Sequence, residues 1–417
     1  MVRIVTRRVG RVPVRWTVRL TAPRRVSEDE SMLTRAIPAC CLMFVLLRCG
    51  GRDETHLSDL SLSTFNAAIG VGLAPYADQR LPAIEGALAS LDADVVCLQE
   101  LWEAADIERV TEALRGEFPH SHRSVRSSAE TAAGCTDSEA TLLLTCLEEN
   151  CANVETAGLP LCAIRNCADD FTLVSMGCQE CVIANQSASD VGSLIANCAT
   201  DDGEAARYEN QTGLLLLSKL PLSGLDFLEL ESTLGDRGVL AARVQTSLVG
   251  SVDVYCTHLA ASLNEVPYMG PYGSWQGERV VQISHFLEWV DATRAPGGAA
   301  VLLGDMNCGP ETARARSASP DAFARFVDAG FEDPYAELDG RCTFCSSNPL
   351  NGFATDVDQG ALIDHVLLSG FEAFESRTAS RIFDDPIEIS ADGLAVTTAR
   401  SDHYGVQVNV SAAEPEP

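Results

Sequence analysis

The sequence predicts a mixed α/β protein in which two β-sheets pack face to face with helices outside, interrupted by a small disulfide-rich helical insertion. Three observations predict it. Short apolar or alternating runs of β type alternate along the chain with helix-type segments. Acidic or histidine-bearing motifs sit beside those apolar runs, where side chains from several strands can converge on one sheet edge. Eight of the 16 cysteines fall between Cys135 and Cys198. With 417 residues, 46% of them hydrophobic, the chain can hold one large domain or two ordinary ones around a true core.

Residues 1–49 read as an N-terminal extension with an export signal. The first 31 are Arg-rich, and a signal starts more naturally at Met32, with Arg35, the apolar run Ala36 to Leu47 and then Cys49-Gly50-Gly51. Twelve apolar residues are too few to span a bilayer, so no transmembrane segment is expected in the mature protein. Leu-Leu-x-Cys at 46–49 resembles a lipoprotein cleavage site, which offers Cys49 as a lipid anchor. The expected location is therefore secreted or cell-envelope. The formal charge is −29, and removing residues 1–49 leaves 20 basic against 56 acidic residues, a balance of −36. Such a surface repels polyanions, so long nucleic acid is a poor partner.

The predicted domain runs from 58 to 411. Leu60–Ile69 reads as a strand, Gln79–Ser90 as an amphipathic helix, Val95–Leu98 as a fully apolar strand, and Glu103–Glu117 as a helix. After the insertion, Thr212–Ser218 is a strand stopped by Pro221. Val239–Thr246 and Ser251–Thr257 form a hairpin turning near Gly250. Gly277–Thr293 is a helix, Ala299–Leu303 a buried strand, and Leu362–Leu368 and Tyr404–Val410 are late strands. The tail from Ala412 is expected to fray.

Within the insertion (135–198) the first six cysteines repeat every sixteen residues, as Cys-x10-Cys-x4. Positions eleven apart share a helix face, because eleven residues make about three turns. The stretch reads as short helices stapled by disulfides. Eight cysteines allow 105 pairings, and their order alone chooses none. Zinc is the rival, disfavoured because no histidine lies between His122 and His258. Cys342-x2-Cys345 reads as a further local bridge. Cys97, Cys256 and Cys308 read as buried free thiols, with Cys256–Cys308 as the alternative pair.

Four motifs carry the chemistry: Gln99-Glu100, Thr257-His258-Leu259, Gly304-Asp305-Met306-Asn307 and Ser401-Asp402-His403. Glu100 ends an apolar strand, where a carboxylate is costly without a cation or hydrogen bonds. Asn66 ends the first strand and can share a hard-cation site with it. Asp305 and Asn307 fall on one side of an extended chain. Asp305 can orient a water, and Asn307 can donate to a phosphate oxygen. His258 and His403, if protonated, can neutralise phosphate or protonate a leaving oxygen. Asp364, inside a strand, is a candidate to orient His403. Asp402 can face a metal or cap a turn.

Together with Ile363-Asp364-His365, these motifs resemble, in order, those of the endonuclease/exonuclease/phosphatase superfamily, which has a deoxyribonuclease-like fold. The resemblance runs from about Leu60 to Val410 and departs from the family at the insertion. It implies a four-layer α/β sandwich and Mg²⁺, with Ca²⁺ or Mn²⁺ as alternatives, held mainly by Glu100 with Asn66. It further implies that Asp305 positions water, that Asn307 and His258 bind phosphate, and that His403 with Asp364 stabilises the transition state or leaving group. Arg279 and Gln282, and a Gly/Pro-rich aromatic loop from Val266 to Trp275, point towards the neutral sphingomyelinase/phospholipase C branch. That branch implies a lipid headgroup at a membrane surface. The expected function is thus a secreted metal-dependent phosphodiester hydrolase. An extracellular nuclease of the same superfamily is the alternative, and a non-catalytic adhesion protein is the alternative of another class.

Overall fold

The computed structural model describes residues 59–70, 74–124, 134–154, 159–184, 190–199, 212–233, 235–262, 268, 270–351, 360–371, 376–391 and 393–411. The predicted export segment, Cys49, most of the 263–269 stretch and the C-terminal tail lie outside them.

Two mixed sheets form the frame. The first has six strands in the order β10-β13-β1-β2-β4-β3: β1 is Asp59–Asn66, β2 Val95–Gln99, β3 His120–His122, β4 Leu215–Ser218, β10 Ser376–Ile382 and β13 Gly405–Ser411. The second has five, in the order β5-β6-β7-β8-β9: Ser223–Leu230, Arg237–Thr246, Gly250–His258, Ala299–Asp305 and Asp364–Ser369. β1 runs parallel to β2 and β7 parallel to β8, each pair joined through a helix; the remaining pairs are antiparallel. The joining helices are α1 (Ala77–Ala89) and α8 (Trp275–Thr293). β11 (Ile387–Ala391) and β12 (Leu394–Thr398) form a separate ribbon just before Ser401.

Alternation explains the packing. Leu60 and Leu62, Val95 and Cys97, Val252, Val254 and Cys256, Val301 and Leu303, and Val366 and Leu368 fill one cluster between the sheets. Their neighbours, such as Phe65, Val96 and Leu98, turn outward onto α1 and α2 (Ala104–Ala113). Both faces of the central strands are covered, which is why they read as continuous apolar runs. Each fully buried Val or Leu contributes roughly 1.5–3 kcal/mol. Gly304 lets β8 approach β7: a Cβ there would lie 2.0 Å from the Thr257 carbonyl oxygen.

Of the five strands absent from the sequence reading, β11 and β12 make the separate ribbon, and β3, β5 and β10 are sheet edges. Edge strands pair and bury on fewer sides, so Ser223–Leu230 and Ser376–Ile382 carry polar residues that mask a strand pattern. A short helix, α9 (Pro320–Asp328), covers the second sheet's outer side, while α10 (Pro334–Leu338) sends Tyr335 into the core between the sheets.

The insertion is five short helices, α3 (Asp137–Asn150), α4 (Leu159–Asn166), α5 (Ala168–Phe171), α6 (Met176–Ala184) and α7 (Val191–Cys198), around their own apolar cluster. Disulfides join Cys135–Cys178, Cys146–Cys167, Cys151–Cys162 and Cys181–Cys198. The first three share one midpoint, between residues 156 and 157. A Cys-x10-Cys-x4 pattern is palindromic as well as repetitive, and a chain that doubles back at its centre uses the palindrome: the rungs nest across a hairpin. Elsewhere Cys342 pairs with Cys345. The reading of the core cysteines is corrected: Cys97 pairs with Cys256 across the two sheets, while Cys308 alone is free among the described cysteines.

Candidate active site

The inner-face stripes end in polar groups at one edge of the sandwich. Continuing Leu60-Leu62 by twos reaches Asn66; Val252-Val254-Cys256 reaches His258; Val301-Leu303 reaches Asp305; and β9 opens on Asp364. Glu100 follows β2 with a left-handed backbone (φ 59°), and Asn307 has φ 50°. For residues other than glycine this conformation costs on the order of 1 kcal/mol or more. Both chains turn sharply off their strands there, and both turning residues carry a predicted site side chain.

Asp305 is the hub. Its Oδ2 accepts from Asn66 Nδ2 at 3.1 Å and lies 3.5 Å from His258 Nε2 and 3.8 Å from His403 Nε2, while Oδ1 accepts from the Asn307 backbone N–H at 2.9 Å. Glu100 Oε1 accepts from Asn66 Nδ2 at 2.9 Å and sits 3.9 Å from His258 Nε2. His403 Nδ1 meets Asp364 Oδ2 at 2.8 Å. Glu100, Asn307 and Asp402 are partly exposed; Asn66, His258, Asp305, Asp364 and His403 are buried. Solvent therefore reaches the group past Glu100.

The two histidines are driven apart. Burial opposes charge on His403, but the Asp364 and Asp305 carboxylates outweigh it and lift its pKa well above the ordinary value. His258 is pushed well below, by burial, by Arg237 and by His403. Of the two rings, only His403 is held towards the charged form. Arg237 Nη1 lies 2.9 Å from His258 Nδ1. A guanidinium can only donate, so Nδ1 is the acceptor and the neutral ring carries its proton on Nε2, facing Asp305 and Glu100. Burial, then Asp364, raises the Asp305 carboxyl to about 7. Burial, then Asp402, raises Glu100.

Two carboxyl groups held above their ordinary range at one buried edge are the donor set a hard divalent cation stabilises. Glu100, His258 and Asp305 converge closely enough to hold one ion, as do Asp305, Asp364 and His403. The carboxylates of the first group, Glu100 and Asp305, are the oxygens left for it: His258 is spent on both nitrogens, accepting from Arg237 and carrying its proton on Nε2, while His403 Nδ1 and Asp364 are committed to each other. Two expected ligands are placed otherwise. Asn66 turns its nitrogen to both carboxylates, and its oxygen accepts from the Ala68 N–H; it braces the acids. Asp402 stands outside both convergent groups and acts on Glu100 through its charge. Asn307 Nδ2 donates one N–H to the Leu259 carbonyl, and an amide nitrogen carries two.

The sequence reading missed Arg237, which opens β6. The hairpin register, Val239 opposite Thr257, sets Gly238 rather than Arg237 opposite His258, so no strand pattern announced the contact. Trp102 lies against the Arg237 guanidinium, 5.3 Å from its ring centre. It also missed Arg80 on α1. This fully buried guanidinium donates to the carbonyls of Pro75, Ala67, Ala68 and Arg400, tying the Asn66 loop to the His403 loop. Thr343 lies between the Cys342 and Cys345 bridge partners, and its Oγ1 accepts from the backbone N–H groups of Ile363 and Asp364. Arg279 and Gln282 hold the loop after His258 through Ala260 and Ser262. In the aromatic loop, Tyr268 packs on Trp275 and donates to Glu278, so its ring is spent on the protein's own surface.

The insertion springs from the rim. Ser124 and Thr212, which flank it, are joined through their hydroxyls at 3.2 Å, and Gly213 (φ 69°) packs against Glu100 and Trp102.

No curated protein matches the sequence significantly. Among solved structures, the fold is similar to sphingomyelinase C from Streptomyces griseocarneus, with TM-score 0.53 and 17% identity over 85% of this chain and 99% of that one. It is also similar to a magnesium-bound beta toxin mutant from Staphylococcus aureus, with TM-score 0.52 and 12% identity over 85% and 100%. TDP2 from Caenorhabditis elegans gives TM-score 0.50 at 13% identity over 85% and 75%. The family model described as Endonuclease/Exonuclease/phosphatase matches residues 64–403, an interval with Asn66 near its start and His403 at its end. Over most of its length, then, this chain belongs to the endonuclease/exonuclease/phosphatase family.

Proposed function

We propose that the protein is a divalent-metal-dependent phosphodiesterase that directs water at phosphorus, acting on a small or lipid-headgroup phosphodiester in the manner of a sphingomyelinase or phospholipase C. The observation that carries this reading is the split pair of histidines around Asp305. One titratable ring is held cationic and one neutral, which is how sites assign an acid and a hydrogen-bond donor at neutral pH. His403, oriented by Asp364, is the proton donor to the leaving oxygen. Asp305 orients the attacking water and accepts its proton. His258, through Nε2–H, and Asn307 hold non-bridging phosphate oxygens, and Arg237 supplies the positive charge behind them.

Glu100 and Asp305 would hold Mg²⁺, which when bound neutralises charge on the phosphoryl oxygens. The fold shared with a sphingomyelinase C and with a magnesium-bound toxin supports this choice. Six disulfides among the described residues fit an oxidising compartment, which supports a secreted or cell-envelope protein.

The test is a panel of phosphoesters, sphingomyelin and plasmid DNA among them, with Mg²⁺ and with EDTA. Hydrolysis should need the metal, favour the headgroup substrate, and vanish in Asp305→Ala and His403→Ala while both variants melt cooperatively. A fully active His403→Ala would overturn the assignment of His403 as proton donor. Preference for DNA would shift the reading to a nuclease, and an inert wild type would favour a binding protein.

A further inference from the structure

The site is assembled from both sheets. Asn66 ends one strand of the first and Glu100 follows another, whereas His258, Asp305 and Asp364 belong to the second. Two sheets held only by interdigitated side chains stand about 10 Å apart. Beneath this site they do not: the Cys97 and Cys256 Cα atoms are 5.5 Å apart, joined by a disulfide between β2 and β7. Both cysteines are wholly buried. Cys97 lies three residues before Glu100, and Cys256 two before His258. The bond is the last layer of the inter-sheet core before the polar groups begin. Gln99, between Cys97 and Glu100, is pinned in turn by donating to the Cys97 carbonyl and Thr64 Oγ1.

We propose that the Cys97–Cys256 disulfide positions the site by setting the gap between the Glu100 lip and the His258–Asp305 lip, and thereby the cation affinity of the group. This rests on the metal-dependent reading above and adds to it the element that fixes the geometry. A ligand set spanning two sheets is sensitive to their spacing, and losing a group that orients metal ligands from behind typically costs about 10–100-fold in metal affinity. A covalent link two and three residues away removes that freedom. The four bridges of the insertion cannot act this way, since each closes within residues 135–198.

The experiment measures Mg²⁺ binding by calorimetry on the full chain, well below the melting temperature, for wild type, Cys97→Ala/Cys256→Ala and Val252→Ala. Val252 lies at the far end of the same inner stripe, so its variant loses stability without touching the site. Positioning predicts Mg²⁺ affinity weakened about tenfold or more in the double variant and unchanged in Val252→Ala. If the double alanine does not fold, Cys97→Val/Cys256→Ala refills the volume and takes its place. Mg²⁺ affinity within twofold of wild type in a folded double variant, or failure of both pairs to fold, overturns the inference in favour of a purely structural bond. Absence of Mg²⁺ binding by wild type would overturn the metal reading itself, and this inference with it.

Discussion

At the scale of single residues, burial holds the site's carboxyl groups against their charge. Asp305 carries a carboxyl whose pKa in the fold is about 7, against an ordinary 3.8. The folded state therefore binds that proton more tightly than the unfolded chain does. Without metal, stability must decline as pH rises from about 4 to about 7 and stay low above it. Asp305→Asn should melt higher than wild type at pH 8 in EDTA while losing activity, and added Mg²⁺ should raise the wild-type melting temperature only. A lower melting temperature for the variant would show that Asp305 is not held against its charge. Arg237 stands opposite in sign, a buried cation between Trp102 and His258. Removing one preorganised donor near a developing negative charge commonly costs about 10²–10³ in rate. Arg237→Gln should thus lower kcat/KM about 10²-fold, with Arg237→Lys only a partial rescue because an ammonium lacks the planar fork. Steady-state kinetics on any substrate from the panel decides this.

At the scale of elements, the insertion is held by helix caps as well as by its bridges. Thr136 and Glu139 form a reciprocal capping box at the start of α3, and the same Glu139 accepts from the Ser175 N–H ahead of α6. Burial would raise the Glu139 carboxyl, but these bonds outweigh it and hold the carboxyl at about 2. A depressed carboxyl contributes stability that is complete above its ordinary value of 4.5 and is lost as pH falls towards 2. Wild type should therefore melt above Glu139→Gln at pH 6, with the gap closing between pH 4.5 and 2. A gap that does not move with pH would mean that the ionised carboxylate is not what joins α3 to α6. Short helices stapled by disulfides are what the insertion contains, but the eleven-residue spacing does not mark a helix face: Cys151 closes α3 and Cys162 lies in α4, and Cys167 precedes α5 while Cys178 lies in α6. The insertion's rungs were not legible, since a repeat and a palindrome share one spacing and only the chain's reversal distinguishes them.

At the scale of the whole molecule, the formal charge of −29 acts on substrates before they arrive. Repulsion between like-charged surfaces is long-ranged at low salt and is screened over about 10 Å at 0.1 M. Any cleavage of plasmid DNA should accordingly rise, relative to cleavage of a small diester, as salt increases from about 10 mM to about 100 mM. A ratio independent of salt would mean that the mouth is shielded from the acidic surface. The described residues contain no helix long and apolar enough to cross a membrane.

Sequence by itself determined the two-sheet α/β class, the central strands and the set of Asn66, Glu100, His258, Asp305, Asp364 and His403 that the fold gathers at one edge. Asn66, His258, Asp305 and Asp364 follow from alternation, a property of neighbours two apart, which continues from each apolar stripe into the polar residue at its end; Glu100 and His403 lie off those stripes and were legible only through their motifs. Tertiary structure decided what depends on distant segments meeting. It put the edge strands in place, set Arg237 against His258 and so made that ring neutral, turned Asn66 and Asn307 towards protein acceptors, and joined Cys97 to Cys256 rather than to Cys308. Side-chain charge and partner are set by the low-dielectric space between two sheets, and no local pattern encodes what that space will contain.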